Sequence, residues 1–233
     1  MNTRIRTRIL LTVVSAFAVS VILAGCSSGD ETQPVTSQPQ PAAEEQTAAP
    51  NPMEALELYT PEYEPNGKET AVLTTSKGDI TVELYGTDAP IHVGNFVELV
   101  RQGFYDGTKF HRYVEGFVIQ GGDPQTKDAS SEQVAAADGD PASPFGTGSP
   151  GYQIKGEFDP KVNPNKHVEG ALGMARGGSP DSAGSQFYFA LEPLAQLDGG
   201  YTVFGKVTKG LDVVKSLRAG DVIEKAEIIG ATE

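Results

Sequence analysis

Tryptophan is absent from the 233 residues, cysteine occurs once and histidine three times. A single cysteine excludes an intramolecular disulfide, and a domain of this length can bury enough core to fold without one. His92, His111 and His167 lie far apart and none sits in an HExxH context, so no zinc site is expected. Asp138 and Asp140 in "ADGDP" lack the EF-hand pattern and read as solvated turn acids. No GxxxxGK phosphate loop is present, and the glycine-rich "RGGSPDSAGS" leads into a strand pattern rather than a helix. "AGSQF" lacks the second glycine of a GxSxG elbow, which excludes that kind of serine hydrolase. No internal repeat is visible. Basic residues are scarce too: 18 Lys and Arg stand against 31 Asp and Glu. An acidic chain of this kind disfavours nucleic acid and anionic lipid surfaces as partners.

No apolar run reaches the ~20 residues of a membrane-spanning helix. The nearest, Ile9–Ala24, has 16 uncharged residues and follows Arg4, Arg6 and Arg8. A basic start and a short apolar core before small residues mark a secretory signal peptide over 1–25, against the plainer reading of a short uncleaved anchor. The lone cysteine, Cys26, closes "LAGC", which resembles the bacterial lipobox. The resemblance implies a lipid-modified N-terminal cysteine and an extracytoplasmic protein held to a bacterial membrane, stably if it carries two or more acyl chains. Residues 27–52 hold five prolines and no aromatic residue. Such a segment cannot offset its ordering entropy by burial, so 26–54 reads as a disordered tether with a reach of roughly 30 Å. Removal of the signal peptide would leave 15 basic and 31 acidic residues, a charge of −16.

Residues 55–233 are one domain's worth of chain. "AVLTTSKGDITVELY" reads as a hairpin, with strands at Ala71–Thr75 and Asp79–Tyr85 around "SKG". "DAPIHVGNFVELVRQG" places Val93, Phe96, Val97 and Val100 at helical spacing, with Asp88 and Pro90 at the start and Gly103 at the stop. Short strands are expected at Lys109–Val114, Phe117–Gln120, Ala171–Ala175, Phe187–Leu191 and Tyr201–Val207. A second helix is expected in "GLDVVKSLRAG" and a closing strand in "KAEIIG". Many short strands with two helices predict a mainly β fold, a closed or nearly closed barrel. Asp123–Tyr152 and Arg176–Ser185 lack regular pattern and are expected to be long loops.

The remaining chemistry lies in "FHRYVEGFVIQGGDP", which sets an arginine and a glutamine among aromatic and β-branched residues without an acid, base or nucleophile. "FHR…GFVIQGGD", "GMARGGSPDSAGSQFYF" and "LDGGYTVFGKV" occur in that order. Together they resemble the cyclophilin family of peptidyl-prolyl isomerases from about Ala71 to the C-terminus. The resemblance implies a closed eight-stranded antiparallel barrel capped by two helices, a monomer that needs no cofactor and works on proline-containing polypeptide. It implies Arg112 as the catalytic arginine, Gln120 as the glutamine that orients it, and Phe117, Val118 and Leu197 as the apolar pocket for the proline ring. Tyr188 stands where the family usually has phenylalanine, giving a pocket floor that carries a hydroxyl. Ala175, Arg176, Gln186 and Tyr201 match substrate-contacting positions. The plainer readings are a surface salt bridge for Arg112, core packing for Phe117, Val118 and Leu197, and a structural role for His111.

Two departures bear on function. Gln196 replaces a tryptophan and Tyr201 a frequent histidine, which implies weak cyclosporin binding. About twenty polar residues, 125–145, intervene before "GTGSPGY", either as a tolerated surface insertion or as a flap that selects partners. The sequence thus predicts a lipid-anchored prolyl isomerase. Its rivals are a peptide-binding module or holdase with little turnover, and a scaffold acting through the insertion.

Overall fold

Alternation sets the first hairpin. In a computed structural model of the protein, which describes residues 58–230, strands β1 (Leu58–Tyr59), β2 (Thr70–Thr75) and β3 (Gly78–Leu84) come first. Ala71, Leu73, Ile80, Val82 and Leu84 are buried on one face, as a period of two requires. The tight turn at Ser76–Lys77 pairs Thr75 with Gly78. Helix α1 (Pro90–Arg101) then buries His92, Val93, Phe96, Val97 and Val100. Its N-terminus is not capped by Asp88, whose carboxylate accepts from Asn165. The Glu157 carboxylate does that work from 66 residues away, accepting from the backbone N–H groups of Ile91 (3.0 Å) and His92 (2.9 Å).

The chain continues through β4 (Arg112–Val114), β5 (Val118–Gly121), a short helix α2 (Ser131–Ala136), β6 (Gln153–Ile154), β7 (Ala171–Met174) and β8 (Phe187–Ala190). It closes with β9 (Val203–Lys209), α3 (Leu211–Ser216) and β10 (Ile223–Ile229). Eight strands form one antiparallel sheet in the order β10-β2-β3-β9-β7-β8-β5-β4, and β1 pairs in parallel with β6 apart from it.

The expected closed barrel is corrected: the sheet is an open half-barrel whose edges are β10 and β4. One isolated bridge, Lys109 to Val222, spans the seam, with backbone bonds from Phe110 N to Asp221 O and from Ile223 N to Thr108 O. On β10 the donor Ala226 N goes to a side chain, Asp106 Oδ1 (2.9 Å), while Lys109 N points away from β10 and donates to Thr126 Oγ1 (2.9 Å). The expected pair of helices becomes three. Helix α2 lies in the 125–145 segment and is fixed by a capping box between Ser130 and Gln133, with Val134 fully buried. That segment packs at the outer edge of β4, where Asp138 Oδ1 accepts from Tyr113 N (3.1 Å).

The main core is aromatic, with Phe96, Tyr105, Phe110, Phe187, Phe189 and Phe204 fully buried and in edge or tilted contact. A smaller apolar cluster, built on Val118, Ala171, Tyr188, Ala190, Leu194 and Val203, supports Phe117, Ala175, Leu197 and Tyr201 from below. The expected signal peptide, Cys26 and the whole tether, 26–54, lie outside the described residues.

Candidate active site

The smaller apolar cluster ends in a cavity of about 200 Å³. Its walls are Arg112, Phe117, Val118 and Gln120 from the β4–β5 hairpin, Ala175 and Arg176 after β7, Tyr188 on β8, and Leu197 and Tyr201 before β9. These are nine of the residues singled out in the sequence, brought together from four separate segments. Antiparallel pairing explains part of this, since Arg112 lies opposite Gln120 and Gln120 opposite Tyr188. Cross-strand partners in a pleated sheet share a face. Gln186 lines a second, adjoining cavity of about 250 Å³ instead, which shares Gln120, Ala175 and Arg176 with the first.

The polar groups are held unequally. Arg112 is exposed, and its guanidinium carbon lies 5.9 Å from the Phe117 ring centre. Among the described residues it makes no ion pair and no side-chain hydrogen bond, so its five donors are unengaged. Gln120 does not bond to Arg112. Its Nε2 donates to Gln186 Oε1 (3.0 Å), and Gln186 Nε2 donates on to Gly148 O (2.8 Å). This chain fixes both amides and leaves Gln120 Oε1 as an acceptor at the cavity wall.

Tyr188 is buried, and its ring lies across β7 at Gly173, its register partner. A Cβ at Gly173 would come within 2.4 Å of the Tyr188 ring, so only glycine fits there. Tyr188 lines the cavity, and its hydroxyl is engaged beneath it. Tyr188 OH is 2.8 Å from His167 Nε2, and His167 Nδ1 is 2.9 Å from Asp198 Oδ1. With Asp198 accepting from Nδ1–H, Nε2 is the acceptor and the tyrosine donates. Burial holds His167 below the usual histidine range. Burial alone would raise the Asp198 carboxyl, but backbone and ring N–H bonds from His167 outweigh it and hold the group below the usual carboxylate range. The proline-sized cavity therefore meets the tyrosine ring, with its hydroxyl occupied elsewhere.

His111, next to Arg112, is 5% exposed and has no hydrogen-bond partner on either ring nitrogen among the described residues. Burial holds it below the usual histidine range, consistent with a neutral ring. Gln196 sits exposed in the 3-10 turn Ala195–Leu197 and lines neither cavity. None of residues 125–145 lines either cavity, although Gln125 Oε1 accepts from Thr147 Oγ1, a residue of the adjoining cavity's wall (3.2 Å). The sequence reading missed Gly146–Ser149, which form the far wall of the adjoining cavity, and the Asp198–His167 support beneath Tyr188. The quoted "GTGSPGY" was the available signal for the first. For the second, residues 21 and 31 apart gave none. Among the described residues no group of His, Cys, Asp and Glu could hold a metal ion, and no helix is long and apolar enough to cross a membrane.

The family model described as cyclophilin type peptidyl-prolyl cis-trans isomerase/CLD matches residues 70–231. A peptidyl-prolyl cis-trans isomerase of Helicobacter pylori is 41% identical over 175 residues, covering 74% of this chain and 94% of the relative. Peptidyl-prolyl cis-trans isomerase B of Bacillus subtilis is 44% identical over 151 residues, covering 65% and 91%. Among solved structures, a Cryptosporidium parvum cyclophilin crystallised in the presence of the dipeptide Ala-Pro is 28% identical. It superposes with a TM-score of 0.56 over 69% of this chain and 99% of its own. An open antiparallel sheet, a small apolar cavity beside a free guanidinium, and a match to the family over most of the domain all agree: this chain belongs to the cyclophilin-type peptidyl-prolyl cis-trans isomerases.

Proposed function

We propose that the domain accelerates rotation about X–Pro bonds in exported polypeptides through Arg112, with no covalent intermediate. An X–Pro amide rotates over ~10–100 s because its C–N bond is partly double, with a barrier near ~20 kcal/mol. At the twist, resonance is lost and the nitrogen lone pair localises. A donor aimed at that lone pair favours the twisted amide over both planar forms, which turns binding into rate. The observation that carries this reading is the unengaged Arg112 guanidinium above an apolar cavity of proline size. Phe117, Val118, Leu197 and the Tyr188 ring take the proline ring, and Gln120 Oε1 accepts from the substrate main chain. A holdase that merely bound peptide would gain nothing from leaving five donors free. A proline-peptide isomerisation assay on the purified protein tests this, and a rate equal to the uncatalysed one would refute it.

Gln196 supports weak cyclosporin binding as part of the proposal. A glutamine offers less rigid apolar area than an indole and loses up to ~2 kcal/mol of rotamer freedom on contact. Gln196→Trp is expected to tighten the inhibitor in a calorimetric titration with little gain in turnover. An unchanged Kd would remove Gln196 from the account.

The "LAGC" ending and the lone Cys26 support a lipid-anchored, extracytoplasmic setting on a bacterial membrane. Cys26→Ser is expected to abolish lipid attachment and move the protein out of the membrane fraction, or leave its leader uncut. Identical partitioning of wild type and variant would overturn the anchor.

A further inference from the structure

The walls of the two joined cavities carry two guanidinium groups, Arg112 and Arg176, and no carboxylate, in a chain of net charge −13. Arg176 belongs to both cavities. Carbonyls hold it in place: Nε and Nη2 donate to Gly200 O (2.9 and 2.8 Å) and Nη1 to Gly177 O (3.0 Å). Its guanidinium carbon lies 4.6 Å from the centre of the Tyr201 ring. These contacts use its donors without cancelling its charge, and neither arginine enters an ion pair among the described residues. Asp181, five residues from Arg176, accepts from Gly156 N through Oδ1, and Asp198 accepts from the backbone and ring of His167.

The geometry points to Arg176 as a charge-selecting residue that makes the groove favour X–Pro segments flanked by Asp or Glu over those flanked by Lys or Arg. This rests on the isomerase reading above. An Arg176 fixed before binding loses no rotamer freedom when a substrate carboxylate approaches. The acidic body of the protein opposes such substrates at long range. At 0.15 M salt, however, charges beyond ~8 Å are largely screened, whereas the groove arginines act at contact distance. The local term therefore decides the preference.

The test uses the purified full chain and three capped peptides that differ only around one proline: Glu-Pro-Glu, Gln-Pro-Gln and Lys-Pro-Lys. Exchange rates by NMR give kcat/KM for each. At 0.15 M salt the acidic peptide is expected to exceed the basic one about tenfold, the size of a few near-surface charge contacts. In 1 M salt the ratio is expected to shrink toward about threefold. Arg176→Gln is expected to lower the ratio to about threefold, with Arg112 supplying the rest, while Arg176→Lys keeps the charge and most of the ratio. Turnover of the neutral peptide with equal rates for the acidic and basic ones would overturn the inference and leave the isomerase reading standing. So would a folded Arg176→Gln variant that keeps the full ratio. No acceleration of any peptide would overturn both. If Arg176→Gln does not fold, the salt dependence of the wild-type ratio decides: a ratio that does not shrink in 1 M salt overturns the inference.

Discussion

Arg112→Ala is expected to lower kcat/KM for a proline peptide by at least about a hundredfold, the ~3 kcal/mol typical of one lost transition-state donor. The size follows from how little else the cavity offers. In the proposed mechanism Phe117, Val118, Leu197 and the Tyr188 ring, which line the cavity, would bind the proline ring equally in its planar and twisted forms, and uniform binding does not lower a barrier. The nearby Tyr188 hydroxyl already donates to His167, and a Gln120 N–H to Gln186. Arg112 is the group at this wall whose donors are all uncommitted. Arg112→Lys is expected to recover part of the loss, because an ammonium keeps the charge but not the planar fork. Stability should hardly change: Arg112 is exposed and its side chain makes no hydrogen bond or ion pair among the described residues, so the melting temperature should stay within about 2 °C. A folded Arg112→Ala protein with near-normal turnover would remove this residue from the mechanism.

What the sequence revealed depended on whether a residue's role is periodic. The β2–β3 hairpin and α1 were legible because Leu73, Ile80, Val82, Val93 and Phe96 recur at the spacings of a strand and a helix. Helix α2 escaped because a polar helix with one buried residue, Val134, has no apolar stripe, although the Ser130–Gln133 cap signature was present. The seam between β4 and β10 could not be foreseen. On the β10 side a single side chain, Asp106, takes the backbone donor of Ala226. The same holds for the Glu157 cap on α1, for β1 beside β6, and for Tyr59 OH donating to Glu98. At the site, Phe117, Val118 and Leu197 read singly as ordinary core, and only the order of three motifs set them apart. Composition and spacing could not separate Arg112, with its free donors, from Arg176, whose donors are bound. That distinction needed the fold.

Asp123→Ala is expected to be the most damaging single change outside the aromatic core, lowering the melting temperature by roughly 6–12 °C, or about 3 kcal/mol. Asp123 is fully buried, and its carboxylate accepts three backbone N–H bonds, from Gln125 (2.8 Å), Gly146 and Gly148 (3.2 Å). Hydrogen bonds to a charged group contribute about 1.5–3 kcal/mol each, and a buried donor left unpaired costs about 1–3. The three together would exceed the expected loss, but Gly146 lies in an exposed loop where water can replace part of what is removed. The fit is tight as well, since a Cβ at Gly148 would lie 2.0 Å from Asp123 Oδ1, so the carboxylate and the glycine are matched. Asparagine is no rescue. Its amide would turn an N–H donor either toward Gly146 and Gly148 or toward Gln125, donor against donor. The damage should reach function along a defined route, because Gly146–Ser149 wall the adjoining cavity and Gly148 O accepts from Gln186, which in turn holds Gln120. With that wall loosened, KM for peptides long enough to fill both cavities should rise several-fold, while kcat, which the proposed mechanism places at Arg112, should change less. Thermal unfolding together with steady-state kinetics on a long and a short peptide checks both halves. A melting temperature within about 2 °C of wild type, with KM unchanged on the long peptide, would show that this carboxylate does not hold the groove together.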